Sequence, residues 1–348
     1  MLCVTLSRPE FDDPAFGAAW QRDAVAWGAS AFLSWAWVGC LAGERFPDPV
    51  LAEVSEGGVS VGRALFNRQH GRLGVSYYLH ESGFPALDAV FVEHNGVLAM
   101  PGREADVLRS ILVALAGPAS RVVLSGVTDG LLAAARDVGM TGPEQTRLAP
   151  FARLDAGAPF TQGLSRNTGA QLRRSDRSYT EAGPIAITRA ATVEQAEDWL
   201  GRLVAWHEAR WSARGVVSGF LSAPVQRFHR ALILRGVPSG VVDLMRVKAG
   251  ERVVGYLLNL RGGGRVSAYQ SGFDYAGAAP HEKPGLTSHA AAAEKARLEG
   301  VVEYDFLAGD ARYKRSLGND VRALHWLGWQ RGLSVPGVVA TVRSALGR

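Results

Sequence analysis

Two carboxylates, Asp305 and Asp310, lie close to Tyr313 in the segment that runs from Tyr304 to Lys314. Asp305 interrupts an apolar stretch, and an ionised carboxylate in such a place needs a partner or a function. Tyr313 can donate a proton at neutral pH, because an ordinary phenol has a pKa near 10. Asp310 or Asp305 can supply the complementary base or orient a substrate. These residue types predict general acid and base catalysis, which contributes about 10²–10⁴-fold to a rate.

Each of these residues also has a structural interpretation. Asp310 follows a glycine and would cap a helix that contains Tyr313. Tyr313 would then be a packing residue and Lys314 a surface charge. His207 lies between tryptophans in a helical pattern, and its imidazole is a further catalytic candidate, although a single histidine in that setting is more often structural. Spacing alone leaves both interpretations open.

The second half of the chain alternates strands and helices. Helical patterns cover residues 192–214 and 223–234. A helix over 286–299 stops at Gly300, and a strand over 301–307 follows it. The remaining strands are expected at 185–189, 241–248, 253–260 and 265–271, the last three as an antiparallel meander.

The first half of the chain shows a similar mixture. A Gly57-Gly58 turn joins two strands over residues 50–54 and 59–66 into a hairpin. Residues 89–92 and 121–124 resemble short strands, and residues 104–116 and 129–138 resemble helices. Pro and Gly cluster between 150 and 163, which is typical of a boundary. We therefore expect two domains, at 1–155 and 184–348, joined by a linker with a basic helix at 156–183.

The composition limits the class of protein. The chain has 348 residues, of which 47% are hydrophobic and 20% are charged, enough for two cores. The net charge is +5, but the basic residues are dispersed, so no segment predicts DNA binding. A mild positive charge suits an anionic small molecule such as a coenzyme. The prevalence of Arg, Ala and Gly is typical of a GC-rich bacterial genome.

Several other classes lack their sequence signatures. Cys3 and Cys40 form neither a CxxC nor a Cys/His spacing, so neither a disulfide framework nor a metal site is predicted. The motifs GxSxG, HExxH, GxxxxGK[ST] and GxGxxG are absent. Residues 24–43 are uncharged and long enough for a membrane span. Their glycines and central tryptophans favour a buried helix broken near Gly28, so we expect a cytoplasmic protein without a membrane anchor or a signal peptide.

Three blocks of the second half carry a family resemblance. They are YQSGFD at 269–274, PGL at 284–286 and YDFLAGDARYK at 304–314. In order and spacing they resemble the GNAT-type acetyltransferases that include CelD-like proteins of cellulose and exopolysaccharide synthesis. This group is distantly related in fold to the FemAB peptidyltransferases. The resemblance implies tandem GNAT-like domains of α/β (α+β) class, with mixed, mostly antiparallel sheets flanked by helices.

The resemblance also implies an acyl-CoA site. In a GNAT domain two parallel strands splay apart and receive the pantetheine arm, while the next helix offers its N-terminus to the pyrophosphate. Here acetyl-CoA or another acyl-CoA would contact Lys283, Gly285, Leu286, Thr287 and Ser271. The usual pyrophosphate signature, Gln or Arg, two residues, Gly, any residue, then Gly or Ala, is not found at this loop, which departs from the family pattern.

The acceptor would be an amine of a sugar or of an exopolysaccharide or envelope precursor. Gln270 and Lys314 are the candidate acceptor contacts in the second half. Glu93 and Asn95 are candidates in the first half, where an Asn-Gly turn is the structural alternative.

Two other functions stay open. One is a FemAB-like peptidyltransferase that takes its acyl group from aminoacyl-tRNA, which the basic segment 166–177 would favour. The other is a non-catalytic GNAT-fold scaffold, which the absence of the pyrophosphate signature favours.

Overall fold

The computed structural model describes residues 1–72 and 74–330, which form two compact units. The first unit contains the described residues of Met1–Arg147 together with residues 323–330, and the second contains Leu148–Arg322. Each unit is mixed α/β with a mostly antiparallel sheet and flanking helices, which confirms the predicted fold class. The division expected at residues 155 and 183 stays a prediction.

The helices and strands are numbered in chain order. Those up to residue 137 are β1 (Leu2–Ser7), α1 (Pro14–Ala26), α2 (Trp35–Val38), α3 (Ala42–Arg45), β2 (Pro49–Glu56), β3 (Val59–Gly71), β4 (Gly74–Leu79), β5 (Leu98–Ala99), α4 (Glu104–Leu115), β6 (Arg121–Val127) and α5 (Asp129–Asp137). Those that follow are β7 (Glu144–Arg153), α6 (Arg166–Thr180), β8 (Ile185–Arg189), α7 (Val193–Ser212), α8 (Ala223–Gly236), β9 (Val242–Ala249), β10 (Arg252–Gly262), β11 (Arg265–Phe273), α9 (Pro284–Leu298), β12 (Glu303–Asp305), α10 (Arg312–Leu317) and β13 (Asp320–Gln330).

The sheet of the first unit has the order β1-β2-β3-β4-β6-β13, with β5 beside β3. Its neighbours are antiparallel except β4 and β6, which pair in parallel from Ser76 and Arg121 to Tyr78 and Val123. The predicted hairpin of β2 and β3 is confirmed, and its Gly57-Gly58 turn has φ angles of 58° and 84°. Positive φ at both turn residues explains why this position needs glycine.

The uncharged segment 24–43 does not form one helix. Helix α1 ends at Ala26, and Gly28 has a φ of 62°, which confirms the predicted break. Short helical turns follow at Ala31–Leu33 and in α2. Among the described residues we found no helix with both the length and the apolarity to cross a bilayer.

The sheet of the second unit has the order β7-β12-β11-β10-β9-β8. Strands β11 and β12 are parallel, and the other neighbours are antiparallel. Helix α9 buries Ala292, Ala293 and Ala296 in the core of this unit. The predicted N-cap of α6 is confirmed, because Ser165 Oγ accepts a hydrogen bond of 3.2 Å from the Thr168 N–H.

Two predicted strands differ from the structure. Residues 89–92 form no strand, because Phe91 has a φ of 51° and the segment runs as a loop. The strand expected at 301–307 is β12 and covers only Glu303–Asp305. Its early end is a feature of the candidate active site.

Candidate active site

Strands β11 and β12 separate at the centre of the second unit. They pair from Arg265 and Glu303 to Ser267 and Asp305, and no further pairs follow although β11 continues to Phe273. On its other side β11 remains paired with β10 as far as Phe273 and Gly255. The β12-facing edge of residues 268–273 therefore borders an opening between two parallel strands.

The chain after β12 turns away from β11 because it follows β7. The Phe306 N–H donates to Pro150 O at 3.0 Å, and the Gly309 N–H donates to Leu148 O at 3.0 Å. Asp305 is fully buried, and its Oδ1 accepts the Leu307 N–H at 2.7 Å. Leu307 has a φ of 62°, a strained angle for a residue with a side chain. Asp305 thus fixes the turn that opens the strands.

Lys314 secures the same turn from α10. Its Nζ donates to Ala308 O at 2.7 Å and to Leu307 O at 3.2 Å. The ammonium group expected to contact the acceptor is thus bonded to the wall of the opening. Asp310 is exposed just before α10, and Ala311, which makes no side-chain cap, is the N-cap residue. The alternative that Asp310 caps this helix is therefore wrong.

Helix α9 begins at Pro284, directly after the loop that follows β11. The Lys283 N–H donates to Ser175 Oγ at 2.8 Å, and Thr287 Oγ1 donates to Asp176 Oδ1 at 3.0 Å. The Thr287 hydroxyl is thus already hydrogen-bonded to α6. Thr287 would therefore help to hold the start of α9 in place and would not contact the ligand through its hydroxyl. The first-turn N–H groups of Gly285 and Leu286 and the exposed Lys283 side chain are placed to meet an anion.

Two residues that the sequence did not single out cover this helix start. A Cβ atom on Gly285 would lie 3.1 Å from the Tyr275 hydroxyl, so the glycine lets this tyrosine approach the first turn. The Arg210 guanidinium lies 4.2 Å from the centre of the Tyr275 ring. An additional cation therefore lies beside the predicted phosphate site. Helix α7 brings Arg210 to this place from a distant part of the sequence.

An aromatic cluster lies at the opening itself. The Tyr313 ring stacks on the His289 ring, with 5.1 Å between the ring centres and an interplanar angle of 11°. The His289 ring also packs against Phe273 at the end of β11 and against Phe306 just after β12. Its centre lies 5.7 Å from the Phe273 ring centre and 5.9 Å from the Phe306 ring centre. Burial raises the pKa of Tyr313 above its ordinary value. Its phenol therefore keeps its proton at neutral pH, as the predicted acid requires.

Strand β11 carries a bulge beside the candidate acceptor residues. Gln270 pairs with Leu258 whereas Ala268 pairs with Asn259, so Tyr269 is the extra residue. The Tyr269 ring stacks on His229 at 5.6 Å. A bulge turns a strand and re-aims its side chains. Gln270 and Ser271 follow it, partly exposed, on the part of β11 that lacks β12 as a neighbour.

His207 lies on α7 in a network away from Tyr313. Its Nε2 accepts the Trp211 indole N–H at 2.8 Å, and its Nδ1 lies 3.1 Å from Ser218 Oγ. An indole nitrogen is only a donor, so Nδ1 carries the imidazole proton and bonds to the serine. Burial lowers the pKa of His207 to about 4. Both nitrogens of a neutral ring are engaged, so a catalytic role would require one bond to break.

The two candidates of the first unit have different settings. Asn95 is buried, and its side chain bonds to His80 Nδ1 at 2.8 Å and to Leu79 O at 3.0 Å. Asn95 therefore has a structural role in holding its loop beside β4. Glu93 is partly exposed in the same loop. A Cβ on Gly126 would lie 2.5 Å from Val92 O, so this loop packs directly on the backbone of β6.

A carboxyl beside that loop predicts a pH-dependent stability. Burial raises the pKa of Glu81 to about 7, partly offset by the hydrogen bond from Ser125. A raised carboxyl pKa favours the protonated folded state, so this stabilisation is complete below about pH 4.5 and is lost as pH rises through 7. We expect the unfolding free energy to fall by up to about 3 kcal/mol between pH 5 and 8.

Glu81→Gln should flatten this dependence, because the amide is neutral at every pH. Denaturant titrations at pH 5 and 8 would measure it, with the exposed Glu104→Gln as the control that keeps the wild-type slope. A Glu81→Gln protein with an unchanged slope would contradict the assignment.

Residues 166–315, from α6 into α10, match the family described as acetyltransferase (GNAT) domain. This match lies within the second unit, and it spans the strand opening and both helices at it. A comparison with curated protein sequences gave no match.

Solved structures resemble the chain over both units. FemX shares 10% identity with a TM-score of 0.61, over 93% of this chain and 97% of FemX. The C-terminal domain of a putative lysylphosphatidylglycerol synthetase from Agrobacterium fabrum shares 12% identity with a TM-score of 0.58, over 95% and 96% of the two chains. A conserved protein of unknown function from Bacteroides thetaiotaomicron shares 10% with a TM-score of 0.56, over 94% and 100%. At these identities the likeness concerns the fold.

Proposed function

We propose that the second unit transfers an acyl group from acyl-CoA to an amine. The observation that carries this proposal is the separation of two parallel strands after Ser267 and Asp305, with the edge of residues 268–273 left along the opening. Backbone groups on such an edge can hydrogen-bond an extended amide-containing chain as a further strand would. The pantetheine arm of coenzyme A is such a chain.

The pyrophosphate of the donor would bind at the start of α9. The N–H groups of Gly285 and Leu286 and the helix dipole favour an anion there. The Lys283 ammonium and the Arg210 guanidinium add positive charge around the same turn. Acetyl-CoA is the simplest donor for this arrangement. Coenzyme A esters are made in the cytoplasm, which is where we place the reaction.

The chemistry would be direct transfer without a covalent enzyme intermediate. The acceptor nitrogen attacks the thioester carbonyl, the new C–N bond forms, and the C–S bond breaks. The departing thiolate takes the proton of Tyr313, which returns to the phenol from solvent. The proton released by the amine passes to a base, for which exposed Asp310 is our candidate. Asp305 and His207 would instead hold the turn and α7 in place.

The acceptor would approach along the bulged part of β11. Gln270 and Ser271 can orient its polar groups by hydrogen bonds. We propose an amino sugar or an exopolysaccharide or envelope precursor as acceptor, which the resemblance to CelD-like proteins supports. Several hydroxyl groups beside one amine suit polar side chains of this kind.

A transfer assay tests this proposal. The purified chain is incubated with acetyl-CoA and a panel of amino sugars, and released CoA thiol and acetylated amine are both measured. We expect the two products in equal amounts with at least one amino sugar. Thiol release without acetylated amine would indicate hydrolysis only. No thiol release with any amine or acyl-CoA would contradict the donor assignment and favour a non-catalytic scaffold.

A charged-tRNA donor is the second candidate, supported by the surface of α6. Arg166, Arg173, Arg174 and Arg177 are exposed on this helix, and within the described part of the chain none of the four has an ion pair. Phosphate contacts of this kind make binding fall steeply with salt. Titration with aminoacyl-tRNA at about 50 and 200 mM salt would reveal such binding, and equal weakness at both would exclude this candidate.

A further inference from the structure

One buried nitrogen in the strand opening lacks a hydrogen-bond partner. His289 is 2% exposed on α9, and its Nε2 has no partner among the described residues. Its Nδ1 lies 3.2 Å from the hydroxyl of Tyr304, which is fully buried. Buried polar atoms are almost always satisfied, so an unpartnered one requires an explanation.

The neighbouring tyrosine decides which histidine nitrogen carries the proton. Burial raises the pKa of Tyr304 well above its ordinary value, so the phenol keeps its hydrogen. The Asn259 amide hydrogen-bonds to the Tyr304 hydroxyl in the sense that lowers its pKa, so it donates there, and its own Oδ1 is buried without a partner. This leaves His289 Nδ1 as the acceptor of the phenolic hydrogen. Burial also lowers the pKa of His289 to about 3, so the ring is neutral and its single proton is on Nε2.

The unpartnered group is therefore an N–H donor with a fixed direction. The opposite tautomer would leave both the Tyr304 hydrogen and the Nε2 lone pair unsatisfied, so it is disfavoured. A buried donor without an acceptor is costly, and a ligand that brings an acceptor removes that cost. The chemistry required of the ligand is a carbonyl oxygen or a comparable acceptor at Nε2.

The position of the ring indicates which ligand that is. His289 contacts Phe273 on the end of β11, Phe306 just after β12 and Tyr313 on α10. These three residues lie on, or directly after, the three elements that surround the opening. Lys314 is also close enough to lower the pKa of His289, although burial is the larger cause. A ligand extended along β11 in the opening would pass this ring.

We propose that His289 Nε2–H donates a hydrogen bond to a carbonyl oxygen of the bound acyl donor, in the pantetheine arm or in the thioester. This inference rests on the proposed acyl-CoA donor, and it adds a residue that recognises the donor by a hydrogen bond. His289 is thereby a donor-binding residue, and Tyr304 is the positioning residue that fixes its tautomer. Because Tyr313 stacks on the same ring, a donor bound to His289 would have its thioester aligned beside the Tyr313 phenol.

Calorimetric titration of four proteins with acetyl-CoA and with free CoA tests the inference. His289→Phe keeps the stacked ring but removes the donor, and it also removes the acceptor of the Tyr304 hydrogen. The double variant His289→Phe with Tyr304→Phe removes both polar groups and so controls for that hydroxyl. His289→Gln keeps a side-chain N–H. Thermal unfolding of each variant confirms that it is folded before titration.

We expect both Phe-containing variants to bind acetyl-CoA about tenfold more weakly than wild type, with His289→Gln between them and wild type. The same loss with CoA would place the acceptor in the pantetheine arm, and a loss with acetyl-CoA alone would place it in the thioester. Both results support the inference.

Wild-type affinity in the folded double variant would overturn the inference while leaving the proposed function intact. A wild-type protein that binds neither acetyl-CoA nor CoA would overturn both. In ¹⁵N-labelled protein the His289 Nε2–H proton should also shift on addition of the ligand that binds it, and an unchanged signal at saturation would overturn the inference as well.

Discussion

Tyr313→Phe is expected to lower kcat for acyl transfer by about 10²–10⁴-fold, the contribution of one positioned acid. The phenylalanine ring can keep the stack on His289 and the edge contact with Phe306, so the opening should persist. What is lost is the phenolic proton, which burial retains by raising the pKa of Tyr313. KM for acetyl-CoA should change little, because the phenol acts on the departing thiolate rather than on the bound donor.

Steady-state release of CoA thiol measures this effect. Tyr256→Phe is the matched control, since Tyr256 lies on β10 beside Trp199 and Trp206 and should leave kcat unchanged. Asp310→Asn tests the proposed base in the same assay and should also slow transfer. Wild-type activity in folded Tyr313→Phe and Asp310→Asn proteins would show that neither residue is catalytic.

Gly272→Ala is expected to destabilise the second unit strongly. A Cβ atom at this position would lie 2.2 Å from Leu203 O and 2.8 Å from Leu203 Cα, so the backbone of α7 would have to move off β11. Overpacking in a close-packed core typically costs about 1–3 kcal/mol, and a clash with backbone should be at the upper end. We expect a fall in Tm of roughly 6–12 °C, at about 2–4 °C per kcal/mol for a unit of this size.

Gly201→Ala provides the matched control, because it makes the same chemical change on α7. A Cβ on Gly201 meets nothing within 4 Å, and alanine favours a helix over glycine by roughly 0.5–1 kcal/mol. The control should therefore raise Tm slightly while Gly272→Ala lowers it. A Gly272→Ala protein as stable as wild type would show that α7 does not rest on β11 as closely as described.

Local signals predicted the elements well where the cause is local. Ser165 caps α6, Gly28 ends the first helical segment, and Pro284 opens α9, because each effect involves residues within one turn. The strand predicted at residues 89–92 was wrong for the opposite reason. Their apolar pattern suits a strand, but a strand also needs a partner, and this loop takes its place from packing against Gly126.

The same distinction applies to the candidate site. Asp305 was recognisable as a buried carboxylate, but it accepts the Leu307 N–H and lies 3.8 Å from the Arg322 guanidinium, so these observed contacts are structural.

His207 attracted attention through its tryptophans. His289 lies four residues beyond Gly285, a spacing that suits either a side chain facing the cofactor groove or one on the helix surface. In the structure His289 is buried beside the opening, whereas both nitrogens of His207 are engaged by Trp211 and Ser218. The His289 contacts with Phe273, Phe306 and Tyr313 join separate elements and cannot be derived from spacing. The partners of His207 lie only four and eleven residues away along the chain.

Calorimetric titration of Lys283→Ala and wild-type protein with acetyl-CoA tests the central claim most directly. Lys248→Ala is the control, since that lysine is paired with Glu251 at the β9–β10 turn. We expect micromolar binding to wild type and to Lys248→Ala, with a weaker affinity in Lys283→Ala that converges on wild type at high salt, as the loss of one phosphate contact predicts. Absence of binding to the wild-type protein, or equal affinity in all three, would contradict a coenzyme A site at the start of α9.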